Sequence, residues 1–151
     1  AQLIEEIDKT EGSKPIAVIF NLGVNDLGNA GNYVSYMTSI ASTLKSKNCK
    51  LFYMSVNPIN STMITKAGRG ARTEAQVREF NSKIRSGLSL DYKYIDMYSV
   101  LMKKGYGTNA SYNGTDADSD DGLHYTTKTF KRIYYYCITY LNTGSINASY
   151  Y

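Results

Sequence analysis

A chain of 151 residues with 42% hydrophobic content is long enough to bury one core, which excludes disordered and fibrous classes and makes a single domain over 1–151 the expectation. Seventeen Lys and Arg against 13 Asp and Glu leave a net charge of +4, spread along the chain instead of gathered into a block, so nucleic acid is not an expected partner. No apolar run approaches the roughly 18–20 residues that cross a bilayer, and no basic stretch followed by an apolar signal segment opens the chain; a soluble protein without a membrane span is expected.

In chain order, Leu3, Ile4 and Ile7 stand at helical spacing among acidic residues, so the sequence reads as opening inside or beside a helix, as a truncated chain does. Ile16–Phe20 is a continuous apolar run of the kind found in a strand covered on both faces of a parallel sheet. Asn21–Gly31 carries three glycines and four Asn/Asp residues, a loop composition. From Tyr33 to about Lys47 the apolar positions Val34, Met37, Ile40, Ala41 and Leu44 predict an amphipathic helix. Leu51–Val56 repeats the buried-strand pattern and is followed by a loop to about Arg72. Val77, Phe80, Ile84 and Leu88 then mark a helix ending near Gly87. Tyr94–Met97 predicts a third strand, Gly105–Gly122 a long polar loop, and Thr127–Leu141 a closing helix with Thr126 as its N-cap. Alternating strands and helices predict an α/β fold with right-handed crossovers. Its ligands should gather in the loops that begin at Asn21, Asn57 and Met97.

Several chemistries can be weighed against these loops. Gly23 and Gly28 have the glycine spacing of a phosphate loop, but Asn29 and Ala30 stand where Lys and Ser/Thr are required, so a nucleotide lacks its charge partner. Asp116, Asp118, Asp120 and Asp121 have the DxDxD spacing of calcium loops. Counted from Asp116, however, Asp121 and Thr127 fall where Gly and Glu are needed, and no metal site is expected. Cys49 and Cys137 lack metal-ligand spacing and read either as one disulfide or as two buried thiols. Lys66, Arg69 and Arg72 form a basic cluster beside glycines, read as a solvated loop. Asn-x-Ser/Thr sequons at Asn60, Asn109, Asn113 and Asn147, with the disulfide option, tilt the expectation toward a secreted or cell-surface protein.

Two segments carry an argument of their own. After the first strand, Gly23 shapes a tight turn from which Asn25 can aim an amide N–H at an oxygen that becomes negative, while Asp26 supports the loop or caps the next helix. Near the other end the single histidine, His124, follows Asp121 by three residues. A turn between them lets the carboxylate fix the imidazole tautomer and leaves the second ring nitrogen free to take a proton.

Taken in order, an apolar strand, Gly23-x-Asn25-Asp26, further strand and helix units, and Asp121-x-x-His124 before a terminal helix resemble the SGNH hydrolases, the GDSL-like esterases and lipases. The resemblance runs from about Ile16 to Leu141. It implies a three-layer α/β/α domain with a mainly parallel sheet and serine ester hydrolysis without a cofactor. Asn25 would be the oxyanion donor, His124 the general base and Asp121 its partner. The substrate would be a small-molecule or carbohydrate ester, the latter favoured by the polar, Tyr-bearing stretch Gly105–Tyr112. The Gly-Asp-Ser segment of that family is missing: Ser13 precedes a strand instead of following one, and Ser55 and Ser99 lack the context. By this comparison the fold is incomplete at its N-terminal side, and the nucleophile comes from a segment or second chain that pairs with the bare edge of the Ile16–Phe20 strand. The alternative is a non-catalytic assembly module, a homodimer through that same edge.

Overall fold

The computed structural model describes residues 2–10, 12, 14–106 and 121–147. The polar loop between Tyr106 and Asp121, with Asp116, Asp118, Asp120 and the sequons at Asn109 and Asn113, lies outside the described residues, as does Ser13.

Three strands, β1 (Ile16–Phe20), β2 (Cys49–Met54) and β3 (Tyr92–Ile95), form an all-parallel sheet in the order β1-β2-β3. The register pairs Ile16 with Cys49 through Phe20 with Tyr53, and Leu51 with Tyr92 through Met54 with Ile95. Six α-helices are described: α1 (Gln2–Asp8), α2 (Ala30–Ser46), α3 (Ser61–Lys66), α4 (Glu74–Gly87), α5 (Met97–Lys103) and α6 (Thr127–Thr143). None is long and apolar enough to cross a membrane.

The central strand explains the architecture. Leu51 and Tyr53 of β2 join a cluster with Met37 and Leu44 of α2 and Val77, Phe80 and Ile84 of α4; Phe52 and Met54, facing the other way, join Met97 and Leu101 of α5 with Ile133 and Tyr136 of α6. Since successive side chains of a strand point to opposite faces, the sheet divides two hydrophobic clusters, and β2 is buried on both sides. Met37, Leu44, Val77, Phe80 and Ile84 are wholly shut off from solvent, each burial stabilising the fold by about 1.5–3 kcal/mol. Those are positions that the helical periodicity selects.

The differences from expectation are local. β2 starts two residues before Leu51 and ends at Met54: the Ser55 amide still donates to the Ile95 carbonyl, but the Ser55 carbonyl accepts from the Asn21 side chain and the Val56 amide donates to Asn81. β3 starts at Tyr92, and Met97 begins α5, capped by Asp96, whose carboxylate accepts from the Ser99 amide at 3.1 Å. The loop to Arg72 contains α3. The disulfide option falls: Cys49 and Cys137 are free, buried thiols, one in each cluster, and burial pushes both up from the ordinary thiol range.

Burial also governs the tyrosines. Tyr92, Tyr94 and Tyr98 are each pushed up to about 12, chiefly because burial disfavours the phenolate. The folded state keeps these protons after the unfolded chain, titrating near 10, has lost them. Their stabilisation is thus complete below about pH 10 and disappears as pH rises through about 12. The far-ultraviolet circular dichroism is expected to be lost in one cooperative alkaline step across that window, together with the share of the tyrosinate absorbance that the buried tyrosines contribute.

Candidate active site

All three strands run the same way, so the segments leaving Phe20, Met54 and Ile95 emerge at one edge of the sheet. Two of them are tied together there. The Asn21 side chain donates to the carbonyls of Met54 at 3.3 Å and Ser55 at 2.9 Å, and the Tyr53 hydroxyl donates to the Leu22 carbonyl at 2.8 Å. Beyond this anchor, the Asp26 amide donates to the Gly23 carbonyl at 2.9 Å and closes the tight turn that holds Asn25. Gly23 has φ +115°, and a Cβ on it would stand 2.2 Å from the Phe80 ring, so both backbone and packing require glycine. Asp26 supports the loop and does not cap α2: its carboxylate accepts from the Tyr33 hydroxyl at 2.7 Å, which pushes the phenol up, while Asn29 occupies the N-cap.

Asn25 is oriented from outside its own loop. Arg72 donates through Nε to the Val24 carbonyl at 2.9 Å and through Nη2 to Asn25 Oδ1 at 3.1 Å. A guanidinium has no acceptor, so the amide oxygen is the atom it holds, and Nδ2 is left as a donor with no partner among the described residues.

The far end of the chain arrives through α3. Asn60 caps that helix with its side chain, accepting from the Met63 amide at 3.0 Å, and its own amide donates to the Gly122 carbonyl at 2.8 Å. Gly122 has φ +79°, and a Cβ there would meet the Asn60 carbonyl at 2.4 Å. The Tyr125 hydroxyl donates to the Pro58 carbonyl and moors the other side of the turn. Within it, Asp121 Oδ1 accepts from the amides of Leu123 and His124, both at 2.9 Å, and Oδ2 lies 2.7 Å from His124 Nδ1. A carboxylate only accepts, so the proton sits on Nδ1 and the lone pair on Nε2. The imidazole side chain is 68% exposed and Nε2 has no partner among the described residues. Asp121, by contrast, is buried and also meets Arg69 Nε at 3.1 Å.

These two ends meet in one cavity of about 180 Å³, lined by Asn25 and His124 together with Asn21, Asn57, apolar residues such as Leu22, Val24, Ile59 and Leu123, and Phe130 from α6. No family model, curated protein or solved structure matches the chain. The geometry therefore carries the functional argument. Gly23, Asn25, Asp26, Asp121 and His124 all fall at this edge of the molecule. Among the described residues, no Ser, Thr or Cys lines the cavity. Ser55 is buried, its Oγ accepting from the Tyr98 amide at 2.7 Å, and Ser99 donates to Asp96; neither lines the cavity.

The basic cluster is where sequence reasoning fell short. Arg69 and Arg72 do not merely decorate a solvated loop: Arg72 Nη1 donates to the Arg69 carbonyl at 2.5 Å, so polar contacts run from Asn25 through Arg72 and Arg69 to Asp121 and His124. The available signal was position, since both arginines lie in the connection from β2 to α4, between α3 and α4.

Proposed function

We propose that this chain supplies the base and one oxyanion donor of a serine ester hydrolase of the SGNH type, in a three-layer α/β/α domain. The observation that carries the reading is the meeting of Asn25 and His124, from opposite ends of the chain, in one cavity. A serine hydroxyl brought to that cavity loses its proton to His124 Nε2 as its oxygen bonds to the ester carbonyl carbon. The carbonyl electrons move onto oxygen, where Asn25 Nδ2 donates to the developing charge. Collapse breaks the bond to the alcohol, which leaves with the proton from His124; water, deprotonated by the same nitrogen, then releases the acid. Asp121 holds the tautomer throughout. A cavity of about 180 Å³ with largely apolar walls suits a short acyl group on a small-molecule or carbohydrate alcohol.

The serine is proposed to come from a segment or second chain adding to β1, which pairs only with β2 among the described residues and so has one edge open. A fluorophosphonate probe applied to the product of the whole gene should label one serine, and Asn25→Ala should lower acetyl-ester hydrolysis about 10²–10³-fold. An intact product that takes up no label would overturn the reading. If that product is also a dimer whose assembly depends on β1, the same open edge supports the alternative, a non-catalytic module pairing with its own copy.

A further inference from the structure

The segment leaving β2 is the floor between the two halves of the site. On one side it receives Asn21 from the β1 loop, and on the other Pro58 and Asn60 hold the turn that carries His124. Along this floor the polar groups are matched one by one. Ser55 Oγ accepts from Tyr98. Val56 exchanges two hydrogen bonds with the Asn81 amide, at 2.8 and 2.9 Å. The Ile59 amide reaches Glu74 at 3.3 Å. Asn57 is the exception. It lines the cavity and is only 9% exposed, and its Oδ1 is sealed from solvent with no hydrogen-bond partner among the described residues.

A buried carboxamide left unmatched beside so many dedicated partners is energetically unfavourable in the empty protein. Carbonyl oxygens tolerate that state better than N–H groups, so the orientation that seals Oδ1 and leaves Nδ2 for the cavity is the favoured one of the two amide flips. We infer that Asn57 is an acyl-recognition residue, its Nδ2 donating to an oxygen of a short-chain carbonyl compound, an ester or amide of a small acid. The inference rests on the ester-hydrolase reading of the same cavity and adds to it a residue that selects the acyl group. The neighbouring apolar walls accept the hydrocarbon part, and the lone amide in the floor rejects a wholly apolar occupant because it would leave both amide atoms unmatched.

The test uses N-methylacetamide, which presents an acetyl carbonyl and does not hydrolyse under the conditions of binding. Titrated into the ¹⁵N-labelled chain, it is expected to shift the Asn57 side-chain amide signal. Asn57→Leu, nearly isosteric, should weaken binding at least about fivefold while the melting temperature holds or rises, since an unmatched polar group has been removed. An Asn57 signal that stays still while Leu123 and Phe130 respond, or equal affinity in the variant, would overturn the inference. Should the variant not fold, the wild-type titration decides alone. A whole gene product that takes no fluorophosphonate, with Asn57 still responding, would remove the hydrolase reading and leave the carbonyl site standing; a labelled serine with a silent Asn57 removes only the acyl-recognition role.

Discussion

In the proposed hydrolase, His124→Ala is expected to lower ester hydrolysis by on the order of 10⁴-fold, with little change in stability. The side chain is 68% exposed and contributes almost nothing to either hydrophobic cluster, so the loss belongs to proton transfer. Asp121→Asn should cost about 10³–10⁴-fold for a different reason. An amide at this position can donate to Nδ1, which favours the tautomer with its proton on Nε2, the nitrogen that must be free. It also removes the carboxylate that Arg69 meets and two backbone amides cap. Steady-state hydrolysis of an acetyl ester, compared with thermal melts of the same preparations, separates the two effects. Retention of wild-type turnover by His124→Ala would dismiss the base assignment.

Gly122→Ala should cost about 3 kcal/mol of stability, or roughly 6–12 °C in melting temperature. Two penalties coincide. The backbone sits at φ +79°, where an L side chain is strained, and the new Cβ would stand 2.4 Å from the Asn60 carbonyl and 2.8 Å from the Ile64 amide, both of them main-chain atoms that cannot swing aside. Relief requires the turn to lift from α3, which carries Asp121 and His124 away from the cavity, so activity should fall with stability. Gly28→Ala is the control: nothing lies within 4 Å of its Cβ position and its φ is not positive, so denaturation should be nearly unchanged. Equal melting of the two variants would mean that the turn is not docked as described.

What could be read from the residues follows from how far each signal extends along the chain. β1, α2, α4 and α6 announce themselves through runs and periodicities contained within the element, and of the positions chosen for α2 and α4 the core buries Met37, Ala41, Leu44, Val77, Phe80 and Ile84, while Val34, Ile40 and Leu88 pack partly buried against it. α3 has one adjacent apolar pair, Met63 and Ile64, and α5 is apolar over most of its length, so neither displays the spacing that Leu3, Ile4 and Ile7 give the equally short α1; helices this short depend on tertiary contacts. The site divides the same way. Asp121 and His124 are three residues apart, and the Gly23–Asp26 turn is equally local, so both could be read directly. Arg72 reaches Asn25 across 47 positions and Asn57 is conspicuous only because its neighbours are satisfied from distant helices; no local pattern encodes either.

The arginine path from Asn25 to His124 makes the two ends of the chain a single inheritance. Neither short motif is portable: an Asp-x-x-His turn transplanted to another scaffold would arrive without Arg69 beside its carboxylate, and a Gly-x-Asn-Asp loop would arrive without the guanidinium that decides which way its amide faces. Within the six residues from Ala67 to Arg72, Arg72 holds the Asn25 loop and the Arg69 carbonyl while Arg69 meets Asp121, so a change at either arginine touches the path that joins the two halves. That stretch, bearing no catalytic group itself, is where descendants of this sequence would retune the whole site or lose it.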